Sequence, residues 1–224
     1  MIKAVTFDLD GTLVDSTEAI VESFFHTFER LGIRPPERDR IVQTIGYTLE
    51  EQFSLFTDHD PAACTRVYRA HYETIACAKS VLLPGAAESL ERFDEAGLRL
   101  GFATSKRLKY AVMILEHLGI LDYFTSQIGP DEVTYPKPHP EAVLKSLNHL
   151  NVAADEMFFV GDTHFDVLAA RDARVRCLCV TTGYNSREEL CVLRPEAVFD
   201  SLSELTEYAL KHRSGEPCFL NDAE

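Results

Sequence analysis

The sequence predicts an α/β fold in which a parallel sheet, covered by helices on both faces, is interrupted once by a helical insert. Short apolar runs alternate with helical patterns along most of the chain. Those runs are apolar throughout rather than at every second position, as strands buried on both faces require. One stretch near the N-terminus holds helical patterns alone. Taken in order, the first strand is read at 2–7. From 16 to 79 there are only amphipathic helical patterns, punctuated by Pro35-Pro36, Gly46 and Asp60-Pro61, with Thr48-Leu49-Glu50-Glu51 reading as a capping box. Further strands follow at 98–103, 157–160 and 175–181, with weaker ones at 126–128 and 197–199. Helices at 86–95 before Gly97, 108–118 before Gly119 and 141–150 after Pro140 lie between them. The chain thus divides into a core at 1–15 and 81–212, a helical insert at 16–80, and a tail at 213–224 whose lack of periodicity predicts a flexible end.

With 22 basic against 36 acidic residues, the formal charge of −14 repels a phosphate backbone or an anionic bilayer, so neither nucleic acid nor membrane is expected as a partner. No apolar run approaches the ~20 residues of a spanning helix, and acids interrupt the first fifteen residues where a signal peptide is apolar, so a cytoplasmic protein is expected. The six cysteines form no CxxC pattern, which argues for reduced thiols rather than a zinc site or disulfide framework. Cys177 and Cys179 are two apart on a predicted strand, face one side and read as core.

Chemistry concentrates at the strand ends. The first strand runs into Asp8-Leu9-Asp10-Gly11-Thr12, two carboxylates in the crevice where α/β sheets bind ligands. A later strand runs into Gly161-Asp162-Thr163-His164-Phe165-Asp166; helix capping accounts for Asp166 but not for Asp162 as well. Thr104 and Ser105 follow a third strand. Lys137 stands among Pro136, Pro138 and Pro140, which fix the backbone and present the ammonium from a stiff loop. Four carboxylates against one lysine leave a charge of about −3, which a divalent cation reduces to about −1; an all-oxygen donor set favours Mg²⁺.

The order of these motifs resembles the haloacid dehalogenase superfamily of phosphohydrolases from residue 1 to about 180, and the helical insert looks like that superfamily's small cap domain. In detail, 7–16 (Phe-Asp-Leu-Asp-Gly-Thr-Leu-Val-Asp-Ser), 137–141 (Lys-Pro-His-Pro-Glu) and 159–162 (Phe-Val-Gly-Asp) resemble its phosphoglycolate phosphatase and pyrophosphatase branch. The resemblance implies a Rossmann-like parallel-sheet core with a small inserted α-helical cap, and a Mg²⁺-dependent phosphatase acting on a small phosphorylated metabolite through an aspartyl phosphate. Asp8 would be the nucleophile and Asp10 the acid and then base. Gly11, Thr104, Ser105 and Lys137 would bind the phosphoryl group. Asp8, Asp162 and the Asp10 carbonyl would ligate Mg²⁺, with Asp166 a ligand or a partner behind the ligands. Gly46, Tyr47 and Thr48 of the cap would choose the leaving group.

Several readings stay open at this stage. Inorganic pyrophosphate, a nucleotide or a sugar phosphate presents the same phosphoryl end. True dehalogenases of the superfamily lack the second aspartate, here Asp10, and its sugar phosphomutases carry a histidine where Ile20 stands. A signalling receiver domain also gathers acids, a hydroxyl and a lysine around Mg²⁺, but there the paired acids and the phosphorylated Asp sit on separate strands, in a chain about half as long. His139 and His164 are near the site by motif position, and His164 is a candidate to touch substrate. Arg174 replaces the usual glycine after the last acidic motif, which is expected to cost a left-handed helix cap. Either a monomer or a homodimer is compatible with the sequence.

Overall fold

The computed structural model describes residues 1–213. Six strands form one parallel sheet: β1 (Ala4–Phe7), β4 (Arg99–Ala103), β5 (Phe124–Ile128), β6 (Met157–Gly161), β7 (Arg176–Val180) and β8 (Ala197–Phe199), in the order β5-β4-β1-β6-β7-β8. The chain therefore builds outward from β1 to one side through β4 and β5, then crosses back and builds to the other through β6, β7 and β8. That reversal is the switch point at which such sheets open a crevice beyond their C-terminal ends.

Alternation along each strand sorts the core into two layers. Val5, Phe7, Leu100, Phe102, Phe158, Val160, Leu178 and Val180 pack on one face, against α5 (Ala86–Glu95), α6 (Leu108–His117) and α10 (Leu202–Lys211). Ala4, Ala103, Met157, Phe159, Cys177 and Cys179 pack on the other, against α7 (Glu141–Leu150), α8 (His164–Asp172) and α9 (Arg187–Val192). Cys177 and Cys179 thus share one face, buried in the core, with their Sγ atoms 3.9 Å apart.

Between β1 and the rest of the sheet lie α1 (Thr17–Arg30), α2 (Arg38–Val42), α3 (Leu49–Phe56) and α4 (Pro61–Ile75). They pack on one another through their own aromatic cluster: Phe24 lies 4.7 Å from Phe53 and 5.1 Å from Tyr68, centroid to centroid. The caps are those the sequence carries, Thr48 with Glu51 at α3 and Asp60 ahead of Pro61 at α4. The helices leave and re-enter the sheet layer through two strands of two residues each, β2 (Val14–Asp15) and β3 (Val81–Leu82), paired antiparallel. Strands this short have no hydrophobic period, so the sequence reading passes over them.

Two expectations change. The chain keeps the left-handed turn after α8 with Arg174 itself at φ +60°, so the side chain is strained rather than the turn lost. Arg213, read as the first residue of a loose tail, accepts a hydrogen bond from the Ile2 N–H at 2.6 Å and donates to the Ala96 carbonyl at 3.1 Å. The rest of that predicted tail, with Cys218, lies outside the described residues.

Candidate active site

The C-terminal ends of β1, β4 and β6, three adjacent strands, deliver Asp8, Thr104 and Asp162 to one place. Asp8, Asp162 and Asp166 are all buried, and one carboxylate oxygen from each lies within 4.8 Å of the others. Four acids gather here, because Asp10 lies two residues beyond Asp8.

Lys137 lies among them with its side chain 3% exposed, its Nζ 2.6 Å from Asp166 Oδ1 and 3.1 Å from Asp8 Oδ1. The second contact is an ion pair without hydrogen-bond alignment, so Asp8 Oδ1 remains buried without a hydrogen-bond partner. The loop carrying Lys137 is pinned by the Glu141 carboxylate, which accepts from the Thr134 and Tyr135 N–H groups, in addition to the stiffness of its prolines. Asp166 spends its other oxygen on the N–H groups of Asp162 and Thr163 and on the Thr163 hydroxyl. It is therefore held as an anchor for Lys137 and for the backbone of Asp162.

Asp162 accepts from the Thr12 hydroxyl at 2.8 Å and from the Tyr184 N–H at 2.9 Å. The backbone closes tightly around it: a Cβ on Gly11, which has φ +83°, would stand 2.4 Å from Asp162 Oδ2, and one on Gly183 only 1.8 Å. Gly11 donates its N–H to the Val14 carbonyl, so its part in the present geometry is this close approach. The Thr104 hydroxyl accepts from the Lys106 N–H, and Ser105 lines the adjoining cleft. His139 is exposed against Tyr135, whereas His164 sits on Phe165 and Asn185 at the edge of the site.

The electrostatics follow from burial. Desolvation pushes the Asp8 carboxyl up to about 6, against the pull of Lys137 and with help from Asp166 and Asp10. Burial raises Asp162 well above the usual carboxylate range, and Asp166 and Asp8 add to it. Burial alone would lower Lys137, but Asp166 and Asp8 outweigh it and hold the ammonium above its ordinary value.

The residue that sequence reasoning missed is Lys106. Its side chain is 8% exposed, its Nζ is 3.0 Å from Asp10 Oδ1, and it also donates to Ser16 Oγ at 3.2 Å and to the Tyr72 hydroxyl of α4. A lysine beside a helix start reads as solvated; only the fold brings Tyr72 over it. Two ammonium groups rather than one now face the four carboxylates, a formal charge of −2 with all four ionised, and it is this excess that burial relieves by raising Asp8 and Asp162. A buried cluster of that charge, with an orphaned Asp8 oxygen, fits a divalent cation bound by hard oxygen ligands. The Tyr184 loop was also missed, because it contributes a backbone N–H and a glycine rather than a charged motif.

A cleft of about 300 Å³ opens between the insert and the sheet. Asp10, Ser105 and Lys106 line it from the core; Ile20, Tyr68, Arg69 and Tyr72 from α1 and α4 line it from the insert. Gly46, Tyr47 and Thr48 lie on its wall. A Cβ on Gly46 would stand 2.9 Å from the Phe165 ring, Tyr47 packs edge-on to that ring at 4.8 Å, and the Thr48 hydroxyl is occupied with capping α3. Among the described residues no helix is long and apolar enough to cross a membrane.

Comparison with known proteins points the same way. Residues 5–180 match the family model of the haloacid dehalogenase-like hydrolases. The chain is 35% identical over 208 residues to the probable phosphatase IndB of Dickeya dadantii, covering 90% of each protein. It is 31% identical over 229 residues to the phosphoglycolate phosphatase of Salmonella typhimurium, covering 91% of each. A solved haloacid dehalogenase-like family hydrolase from Streptococcus pneumoniae superposes with a TM-score of 0.84 at 28% identity, over 92% of this chain and 98% of that one.

Proposed function

The chain belongs to the haloacid dehalogenase-like hydrolases and is a phosphoric monoester hydrolase, and from that premise we propose that it is a Mg²⁺-dependent phosphatase for a small anionic monoester such as phosphoglycolate, acting through an aspartyl phosphate on Asp8. The observation that carries the reading is Asp8 itself: buried at a strand end, with one oxygen free of hydrogen bonds and Lys137 Nζ 3.1 Å away.

In this reading Asp8 attacks phosphorus, forming a P–O bond as the bond to the leaving oxygen breaks. Lys137 offsets charge on the phosphoryl oxygens, and Thr104 and Ser105 donate to them. Asp10 protonates the departing oxygen, then takes a proton from the water that hydrolyses the aspartyl phosphate. Asp8, Asp162 and the Asp10 carbonyl would hold the metal. When bound, Mg²⁺ supplies two positive charges against the repulsion between nucleophile and substrate. Helices α1–α4 act as a cap that sets the leaving group and limits water, with Gly46, Tyr47 and Thr48 on its wall.

Three features support a phosphatase, rather than a mutase, with a small acid as leaving group. The cleft is at the low end of ligand-site volumes. Ile20 stands where the superfamily's phosphomutases carry a histidine, which favours release of phosphate over its return to a sugar. Arg69 lines the cleft as a cation, its Nη2 donating to Glu50 at 3.4 Å, and a leaving-group carboxylate would pair with it. The test is phosphate release from phosphoglycolate, pyrophosphate, sugar phosphates and nucleoside monophosphates, each with Mg²⁺ and with chelator. Fastest Mg²⁺-dependent turnover on phosphoglycolate supports the reading; a preference for pyrophosphate or a nucleotide overturns the substrate.

A further inference from the structure

Asp10 is held from behind. Its Oδ1 accepts from Ser16 Oγ and pairs with Lys106 Nζ at 3.0 Å, which leaves Oδ2 as the oxygen available to a substrate in the cleft that Asp10 lines. Lys106 is in turn fixed from the opposite layer. Tyr72, on α4 of the insert, receives a hydrogen bond from Lys106 Nζ on its hydroxyl, and its ring centroid lies 4.8 Å from that nitrogen. Burial alone would lower the Lys106 ammonium, but Asp10 and Tyr72 hold it above its ordinary value, so the bridge stays charged. Tyr72 is 2% exposed and packs on Tyr68 and Tyr110, so neither end of the bridge has freedom to wander.

We propose that Lys106 is the positioning residue for Asp10 and that Tyr72 completes it, so that Asp10 is aimed for proton transfer only while the helical insert sits on the sheet. The inference rests on the proposed role of Asp10 as acid and base, and adds to it a coupling between the insert and that step. A lysine paired with an acid is ordinarily a charge partner alone; here the same nitrogen spans two layers, which gives it a position to transmit. Separation of the layers removes Tyr72 from Lys106, which leaves Asp10 to Ser16 and to an ammonium no longer fixed from the insert, so proton transfer waits for closure over the substrate.

The experiment uses the dependence on leaving group. Expulsion of an alkoxide needs a proton from Asp10, whereas 4-nitrophenolate departs without one. Values of kcat/KM report the steps up to departure of the leaving group and are insensitive to the later attack of water. They are to be compared for an alkyl phosphate and 4-nitrophenyl phosphate in the full-length wild type, Lys106→Met and Tyr72→Phe. Lys106→Met is expected to lose about 100-fold on the alkyl ester and less than about 5-fold on the nitrophenyl ester. Tyr72→Phe keeps the ring and its packing, and is expected to show the same selectivity with a loss of about 10-fold on the alkyl ester. Equal losses on both esters, in either variant, overturn the positioning role. An unchanged Tyr72→Phe overturns the coupling to the insert. Phosphate release that persists on both esters in Asp8→Asn would instead overturn the aspartyl-phosphate reading beneath it.

Discussion

Lys137 Nζ lies 2.6 Å from Asp166 and 3.1 Å from Asp8, one buried ammonium shared between the proposed nucleophile and an acid whose remaining oxygen is tied to backbone. The arrangement makes Lys137 a part of the fold, and the proposed function makes it a part of the chemistry as well.

Replacing it tests both. Lys137→Met removes the charge proposed to stabilise the phosphoryl oxygens and is expected to lower kcat about 10²- to 10³-fold. It also leaves Asp8 and Asp166 buried without their counter-ion, with an expected loss of about 3 kcal/mol in urea denaturation. Added Mg²⁺ recovers part of that stability but little of the activity.

Asp8 predicts a pH dependence. Its folded carboxyl titrates near 6, above its ordinary value, chiefly through burial. A raised acid favours the folded state while protonated, so its contribution is present below about 4 and is lost as the pH rises through about 6. Without metal, Asp8→Asn should therefore be more stable than the wild type at pH 7.5, with the gap closing toward pH 4. Mg²⁺ should raise the wild-type melting temperature more at pH 7.5 than at pH 5. Melting curves of both proteins across that range check it, and a gap independent of pH would contradict it.

Arg69 predicts selectivity. Arg69→Gln keeps an amide beside Glu50 but removes the charge from the cleft, and should lower kcat/KM on phosphoglycolate about 30-fold, the scale of a charged hydrogen bond. Esters whose alcohol carries no acid should change less than about 3-fold. Similar losses on both would show that Arg69 is not recognising the leaving group.

Arg174 predicts a stabilising change. Glycine is at ease at φ +60°, so Arg174→Gly relieves strain that outweighs the added freedom of the unfolded chain, for a gain of about 0.5–1 kcal/mol. The residue lies at the far end of α8 from the acids, so kcat should not change.

Most of the fold was legible because its central strands are apolar on both faces and its helices carry periodic stripes bounded by glycine and proline. The bounds of α5 and α7 coincide with those read from the sequence. Asp8, Asp10 and Asp162 were legible because charge at a strand end has no packing explanation, and Lys137 because three prolines present it from a stiff loop. What escaped is what depends on distant parts of the chain. Lys106 becomes an interior residue only when Tyr72 and Asp10 meet around it, and Tyr184 contributes a backbone N–H that no side-chain pattern can announce. The strands Val14–Asp15 and Val81–Leu82 are fixed by each other rather than by any local preference.

The most direct test of Asp8 as nucleophile is steady-state phosphate release from phosphoglycolate at pH 7.5 by the wild type and Asp8→Asn, each with Mg²⁺ and with chelator. The expected result is release that requires Mg²⁺ in the wild type and disappears in a folded Asp8→Asn. Turnover by Asp8→Asn at the wild-type rate, or release indifferent to Mg²⁺, would contradict it.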